Sequence, residues 1–154
     1  MSVNKHKPHW LILPEDDANR QIATGFELSV PNIQVLRVAN GWGNVRDSFK
    51  REHNRQMQKY PERLMVLLVD FDNQADRRAD VTSEVLDSFR DRVFVLGSYV
   101  HPEKLKSALG MSYEKIGKVL ARECVEGTGE TWGHPLLRHN RRDLLRIRKR
   151  NPFR

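Results

Sequence analysis

Residues 64–69 set six apolar side chains in succession, Leu-Met-Val-Leu-Leu-Val, and then run into Asp70, Phe71 and Asp72. The run is rich in Val and Leu and is bounded by Pro61 and a polar loop. An uninterrupted apolar segment of this length fits a strand buried on both faces, and such strands belong to parallel sheets covered by helices. Open parallel sheets bind ligands beyond the carboxyl ends of their strands. Asp70 and Asp72 stand at that end, and strand alternation points both the same way wherever strand geometry persists. Two neighbouring carboxylates repel each other unless a cation or positive groups answer them. The plainer alternative is that they cap the following turn, where Asp is common.

Around this strand the chain alternates strand and helix. His9 to Leu13 reads as a first strand, ending at Pro14-Glu15-Asp16-Asp17. Ala18 to Leu28 carries Ile22, Ala23 and Phe26 at helical spacing, with Asp16 or Asp17 as N-cap. Ile33 to Ala39 reads as a second strand and Asn44 to Tyr60 as a polar helix in which His53 is solvated. After the organising strand, Val81 to Phe89 reads as a helix begun by Asp80 or Thr82, and Val93 to Leu96 as a fourth strand. Pro102 opens a helix through Leu109, Ser112 opens another that ends at Gly127, and a basic amphipathic segment covers about Pro135 to Arg150. The expectation is one α/β domain over residues 1–154: a mostly parallel four-stranded sheet with helices on both faces over about 9–97, and a helical, basic C-terminal extension over about 102–154.

Charge is unevenly placed. The chain carries +7 overall, and the segment from Arg138 to Arg154 holds eight Lys or Arg against the single acid Asp143. The preceding residues are therefore neutral, and a concentrated basic segment attracts polyanions, nucleic acid above all. Arg138, Arg141, Arg142, Arg146, Arg148, Lys149 and Arg150 are the candidate phosphate contacts; a solvated tail is the alternative. No apolar stretch is long enough to span a bilayer, and the N-terminus lacks a signal-peptide core. The single Cys124 excludes an internal disulfide and suits a reducing cytoplasm, where packing is its expected role. His134 and His139 have no Cys partner and no shared helical face, so a zinc site is not indicated. Neither a Walker pattern nor a dinucleotide fingerprint is present. Trp10 and Trp132 read as packing residues.

If the first and third strands lie side by side, Glu15 and Asp16 fall beside Asp70 and Asp72, and Mg²⁺ is the natural counter-charge for such a set. At this point the residues resemble a family. Glu15 after one apolar strand, Asp17-Ala18 opening a helix, and Asp70-x-Asp72 after another strand look like the Toprim domain of primases, topoisomerases, small ribosomal RNA maturation nucleases and OLD-family nucleases. The resemblance covers roughly Trp10 to Leu96 and is nearer to the nucleases than to the topoisomerases. It implies Mg²⁺ (or Mn²⁺) held jointly by Glu15, Asp70 and Asp72, with Glu15 as ligand or general base, Asp16 and Asp76 as additional acids, and phosphodiester hydrolysis or phosphotransfer on nucleic acid. Asp16 stands where members carry Gly, and Asn73-Gln74-Ala75 replaces the Gly that follows the second Asp in primase-like forms.

A second resemblance is to response-regulator receivers. There Asp70 becomes the phosphoacceptor, Asp16 and Asp17 hold Mg²⁺, and Ser98 is the switch hydroxyl. The Met-Pro that follows a receiver's phosphoacceptor and the Lys-Pro after its fifth strand are missing. A third expectation is a non-catalytic Toprim-fold protein that binds a protein partner or a second copy of itself.

Overall fold

The computed structural model describes residues 3–150. Four parallel strands form one sheet in the order β2-β1-β3-β4: β1 His9–Pro14, β2 Ile33–Val35, β3 Arg63–Leu68 and β4 Val93–Leu96. The register is His9↔Arg63 through Pro14↔Leu68 between β1 and β3, Trp10↔Ile33 between β1 and β2, and Met65↔Val93 between β3 and β4. Every residue of β1, β3 and β4 is buried, as expected for a sheet covered on both faces.

Alternation along the strands sorts those residues into two cores. Trp10, Ile12, Leu64, Val66, Leu68, Phe94 and Leu96 pack on one face against α1 (Asp17–Ser29), α6 (Tyr113–Glu126) and α7 (Arg141–Lys149). Leu11, Leu13, Met65, Leu67, Val93 and Val95 pack on the other against Val45, Phe49 and Met57. Those three come from α2 (Trp42–Ser48), a π-helical turn (Phe49–His53) and α3 (Asn54–Lys59), which run on without a break. Helices α1 and α6 touch backbone to backbone. A Cβ added at Gly117 would meet the Ile22 carbonyl oxygen, and one at Gly25 the Glu114 carbonyl oxygen, so glycine alone permits this approach. Trp10, Trp132 and Cys124 are core residues, with the Trp132 Nε1 donating to the Leu120 carbonyl at 3.1 Å.

Several expectations need correction. The second strand stops at Val35 rather than Ala39. The helix expected over Val81 to Phe89 is instead α4 (Arg77–Thr82), entered from Asp76, followed by a 3₁₀ segment over Asp87–Arg92. His53 is buried, not solvated; it sits edge-on to Phe49 at 5.3 Å, and burial lowers its pKa.

The basic C-terminal segment is not an appendage. β4 is an edge strand, and side chains of α7 and the 3₁₀ turn before it (Arg138–Asn140) satisfy its open backbone groups. Gly97 N–H donates to Asn140 Oδ1 at 3.0 Å and Val95 N–H to Asp143 Oδ2 at 2.7 Å, while Arg146 donates to the Val93 carbonyl at 3.2 Å. A helix here covers an edge that would otherwise template pairing with another chain. No helix among the described residues is long and apolar enough to cross a membrane.

Candidate metal and acid–base site

The carboxyl ends of β1 and β3 are adjacent, and the site is built from the residues that follow them. Glu15 N–H donates to the Leu68 carbonyl at 2.9 Å, which carries the ladder one step past β1. The Glu15 side chain returns the contact: Oε1 accepts the Asp70 N–H at 2.9 Å. Asp16 leaves the strand in an extended conformation and caps α1, its Oδ1 accepting the Asn19 N–H at 3.0 Å. One turn into the helix, the Asn19 side chain lies fully buried and bridges two acids. Its Nδ2 donates to Asp16 Oδ1 at 3.0 Å and to Asp70 Oδ1 at 2.9 Å, while its Oδ1 is buried without a partner.

A fourth contributor comes from the loop after β4. His101 is exposed and caps α5 (Pro102–Leu109), with Nδ1 accepting the Glu103 N–H at 3.1 Å. Asp16, Asp70 and His101 form a group whose candidate ligand atoms all lie within 4.8 Å of one another. Two carboxylates and an imidazole make a donor set suited to a divalent cation.

The electrostatics match that placement. Desolvation, reinforced by Asp70, Asp16 and Asp72, raises the Glu15 pKa to about 7 against the relief of the Asp70 N–H bond. Desolvation likewise raises Asp70 to about 6, with Asp16 adding to the rise and the Asn19 bond opposing it. Carboxyl groups perturbed by both burial and like charge concentrate at functional sites.

Asp72 takes a different partner. The strand geometry that would align it with Asp70 ends at Leu68, and Asp72 adopts a left-handed φ of 50°. Its Oδ2 pairs with Arg77 at 2.7 Å. Arg77 is itself buried, donates to the Asp70 carbonyl at 3.3 Å and stacks over the Trp42 ring at 4.7 Å. Asp76 is exposed at the entry to α4 and makes no capping bond. Ser98 follows β4, buried, with its Oγ unpartnered. Thus Glu15, Asp16 and Asp70 converge at one edge, Asp72 is directed to Arg77, and Asp76 stands apart.

Of the basic residues, Arg146 is a strut. It pairs with Asp143 at 2.7 Å, donates to the Val93 and Arg90 carbonyls, and lies over the Phe94 ring. Arg150 pairs with Asp91 at 2.9 Å, and Arg148 donates to the Thr128 carbonyl at 3.0 Å. Arg138, Arg141, Arg142 and Lys149 are exposed and make no side-chain hydrogen bond or ion pair among the described residues. Arg138, Arg141 and Arg148 line an open groove of about 450 Å³ with Trp132 and Leu145.

Sequence reasoning overlooked Asn19 and His101, and it offered Arg77 as a partner for Asp76, whereas Arg77 pairs with Asp72. Asn19 carried a signal, standing three residues after an N-cap acid where a side chain reaches back toward the helix start. His101 carried another, preceding Pro102 in the loop that leaves β4 at the same sheet edge. Comparison with family models, with curated proteins and with solved structures returned no match.

Proposed function

We propose that the chain is a metal-dependent phosphodiesterase of Toprim type that acts on nucleic acid. The observation that carries this reading is the pairing of Glu15 and Asp70 at adjacent strand ends, both raised toward neutrality, with Asp16 and His101 beside them. A divalent cation bound there supplies electrophilic stabilisation for a phosphoryl oxygen. Asp70 and Asp16 are its anchoring carboxylates, oriented by the Asn19 amide. Glu15, half-buried and tied through Oε1 to the Asp70 N–H, is the carboxylate placed to take the proton of an attacking water. Arg77 fixes the loop that carries Asp72, and the free cations Arg138, Arg141, Arg142 and Lys149 supply attraction for a phosphate backbone.

The test is cleavage of end-labelled single- and double-stranded DNA and RNA with Mg²⁺, with Mn²⁺ and with chelator. Cleavage by the wild type that is lost with chelator and in Asp70→Asn supports the reading. No cleavage of any substrate under any metal condition overturns it.

The receiver-like reading draws on one specific observation, the buried unpartnered Ser98 hydroxyl at the end of the strand next to Asp70. It predicts that acetyl phosphate adds one phosphoryl group to Asp70, detectable by mass and absent in Asp70→Asn.

A further inference from the structure

We infer that the cation of this sheet edge is held by an imidazole as well as by carboxylates, and that the site therefore prefers a transition divalent ion of the Mn²⁺ class to Mg²⁺. The inference takes the cation site of the preceding reading and specifies its ion. Its donors are Asp16, Asp70 and His101; the Asn19 amide, whose Nδ2 faces the two acids in the metal-free chain, becomes a fourth only by turning over.

Three features of the geometry support it. The candidate ligand atoms of Asp16, Asp70 and His101 come within 4.8 Å of one another. A cation with bonds of about 2.1 Å separates its donors by roughly 3 to 4 Å, so small inward movements complete the set. Next, no hydrogen bond or ion pair joins His101 to either acid among the described residues, although a candidate ligand atom of the imidazole lies within 4.8 Å of theirs. Finally, Asn19 is fully buried inside the cluster with Oδ1 unpartnered, while its Nδ2 bridges the two acids at 3.0 and 2.9 Å. A buried amide oxygen without a partner costs about 1 to 3 kcal/mol. Turning the amide over would bring that oxygen between two carboxylates, an arrangement stable only with a cation among them.

The choice of ion follows from donor chemistry. Mg²⁺ favours oxygen donors and retained water; Mn²⁺ also favours oxygen but tolerates an imidazole in its coordination shell better than Mg²⁺ does. The His101 ring has one lone pair to give, and Nδ1 uses it to accept the Glu103 N–H at 3.1 Å. Committing that lone pair to an ion hands an exposed N–H to water, a modest exchange.

The experiment is titration of the full chain at pH 7.5 with Mn²⁺ and separately with Mg²⁺, read by calorimetry and by pulsed electron paramagnetic resonance of the bound Mn²⁺. Wild type is expected to bind Mn²⁺ at least about tenfold more tightly than Mg²⁺, with ¹⁴N coupling from a ring nitrogen. His101→Asn keeps a good helix N-cap and removes the imidazole. It should lose at least about tenfold in Mn²⁺ affinity, lose the ¹⁴N coupling and bind Mg²⁺ as before. Equal affinity for the two ions, an unchanged His101→Asn, absent ¹⁴N coupling or no ion bound would overturn the inference. Cleavage that depends on Asp70 while His101→Asn behaves as wild type would overturn it and leave the hydrolase reading standing. Imidazole-dependent Mn²⁺ binding without cleavage would do the reverse.

Discussion

Glu15 and Asp70 are raised to about 7 and about 6, and the sign of that shift fixes how stability responds to pH. A carboxyl group whose folded pKa exceeds its unfolded value stabilises the fold while protonated. That contribution is full below the unfolded pKa of about 4 and is lost as pH rises through the folded values. Glu15 and Asp70 should therefore favour pH 5.5 over pH 8 in the metal-free protein, while the buried His9, His53 and His139, whose pKa values burial lowers, pull the other way. Asp70→Asn, which keeps a side chain able to meet Asn19, isolates the acid's share and should raise the melting temperature more at pH 8 than at pH 5.5. A steeper loss in the variant than in wild type would contradict the assignment. At this scale the acids were visible in the sequence because each follows an apolar run. Asp72 was misplaced because alternation holds only while the backbone stays extended, and a φ of 50° ends that. Asn19 and His101 carried only local signals, and their shared place could not be read from them because it depends on which loops meet at the sheet edge.

Helix α7 shows how an element can be read correctly in type and wrongly in role. Its amphipathic pattern was plain, with Leu144 and Ile147 buried and the arginines outward. Its service to the edge of β4 was not, because that rests on Asp143, the lone acid in a basic stretch. Asp143 is 1% exposed, accepts the Val95 N–H, and ion-pairs with Arg78 and Arg146. Asp143→Ala should cost about 3 to 5 kcal/mol, since it leaves a strand N–H and two partly buried guanidiniums unanswered. Urea unfolding checks this, and a loss under 1 kcal/mol would show that the edge is satisfied otherwise. The α1–α6 contact makes a second prediction of the same kind. Gly117→Ala forces a methyl against the Ile22 carbonyl and should cost about 1 to 3 kcal/mol or more, although alanine favours helix. The boundaries of α4 were missed because no side chain caps it and a 3₁₀ segment follows closely, leaving the 3.6-residue period without a clear start or stop.

At the scale of the molecule, a parallel four-stranded sheet covered on both faces follows from short apolar runs separated by helical pattern, whereas the order β2-β1-β3-β4, which brings Glu15, Asp16 and Asp70 to one edge, is supplied by the structure. Charge behaves differently. A count of basic residues suggested a detachable tail, but Arg146 and Arg150 are committed to the fold, so deleting residues 141–154 should unfold the chain rather than merely weaken binding. The informative change is joint replacement of Arg138, Arg141 and Arg142 by Gln. The melting temperature should hold, while the slope of log affinity for an oligonucleotide against log salt falls by about 0.7 to 0.9 for each phosphate contact removed. An unchanged slope would show that these cations contact no phosphate.

Cation binding at the acidic edge is the central proposal. Its most direct test is the melting temperature at pH 7.5 with and without millimolar Mn²⁺, for wild type and for Asp70→Asn. A ligand bound only by the folded state raises stability by mass action. The proposed cation site predicts a clear rise for wild type, because an ion there would relieve Glu15, Asp16 and Asp70 together, and little or none for Asp70→Asn. A wild type whose melting temperature ignores the ion, or a variant that responds equally, would contradict it.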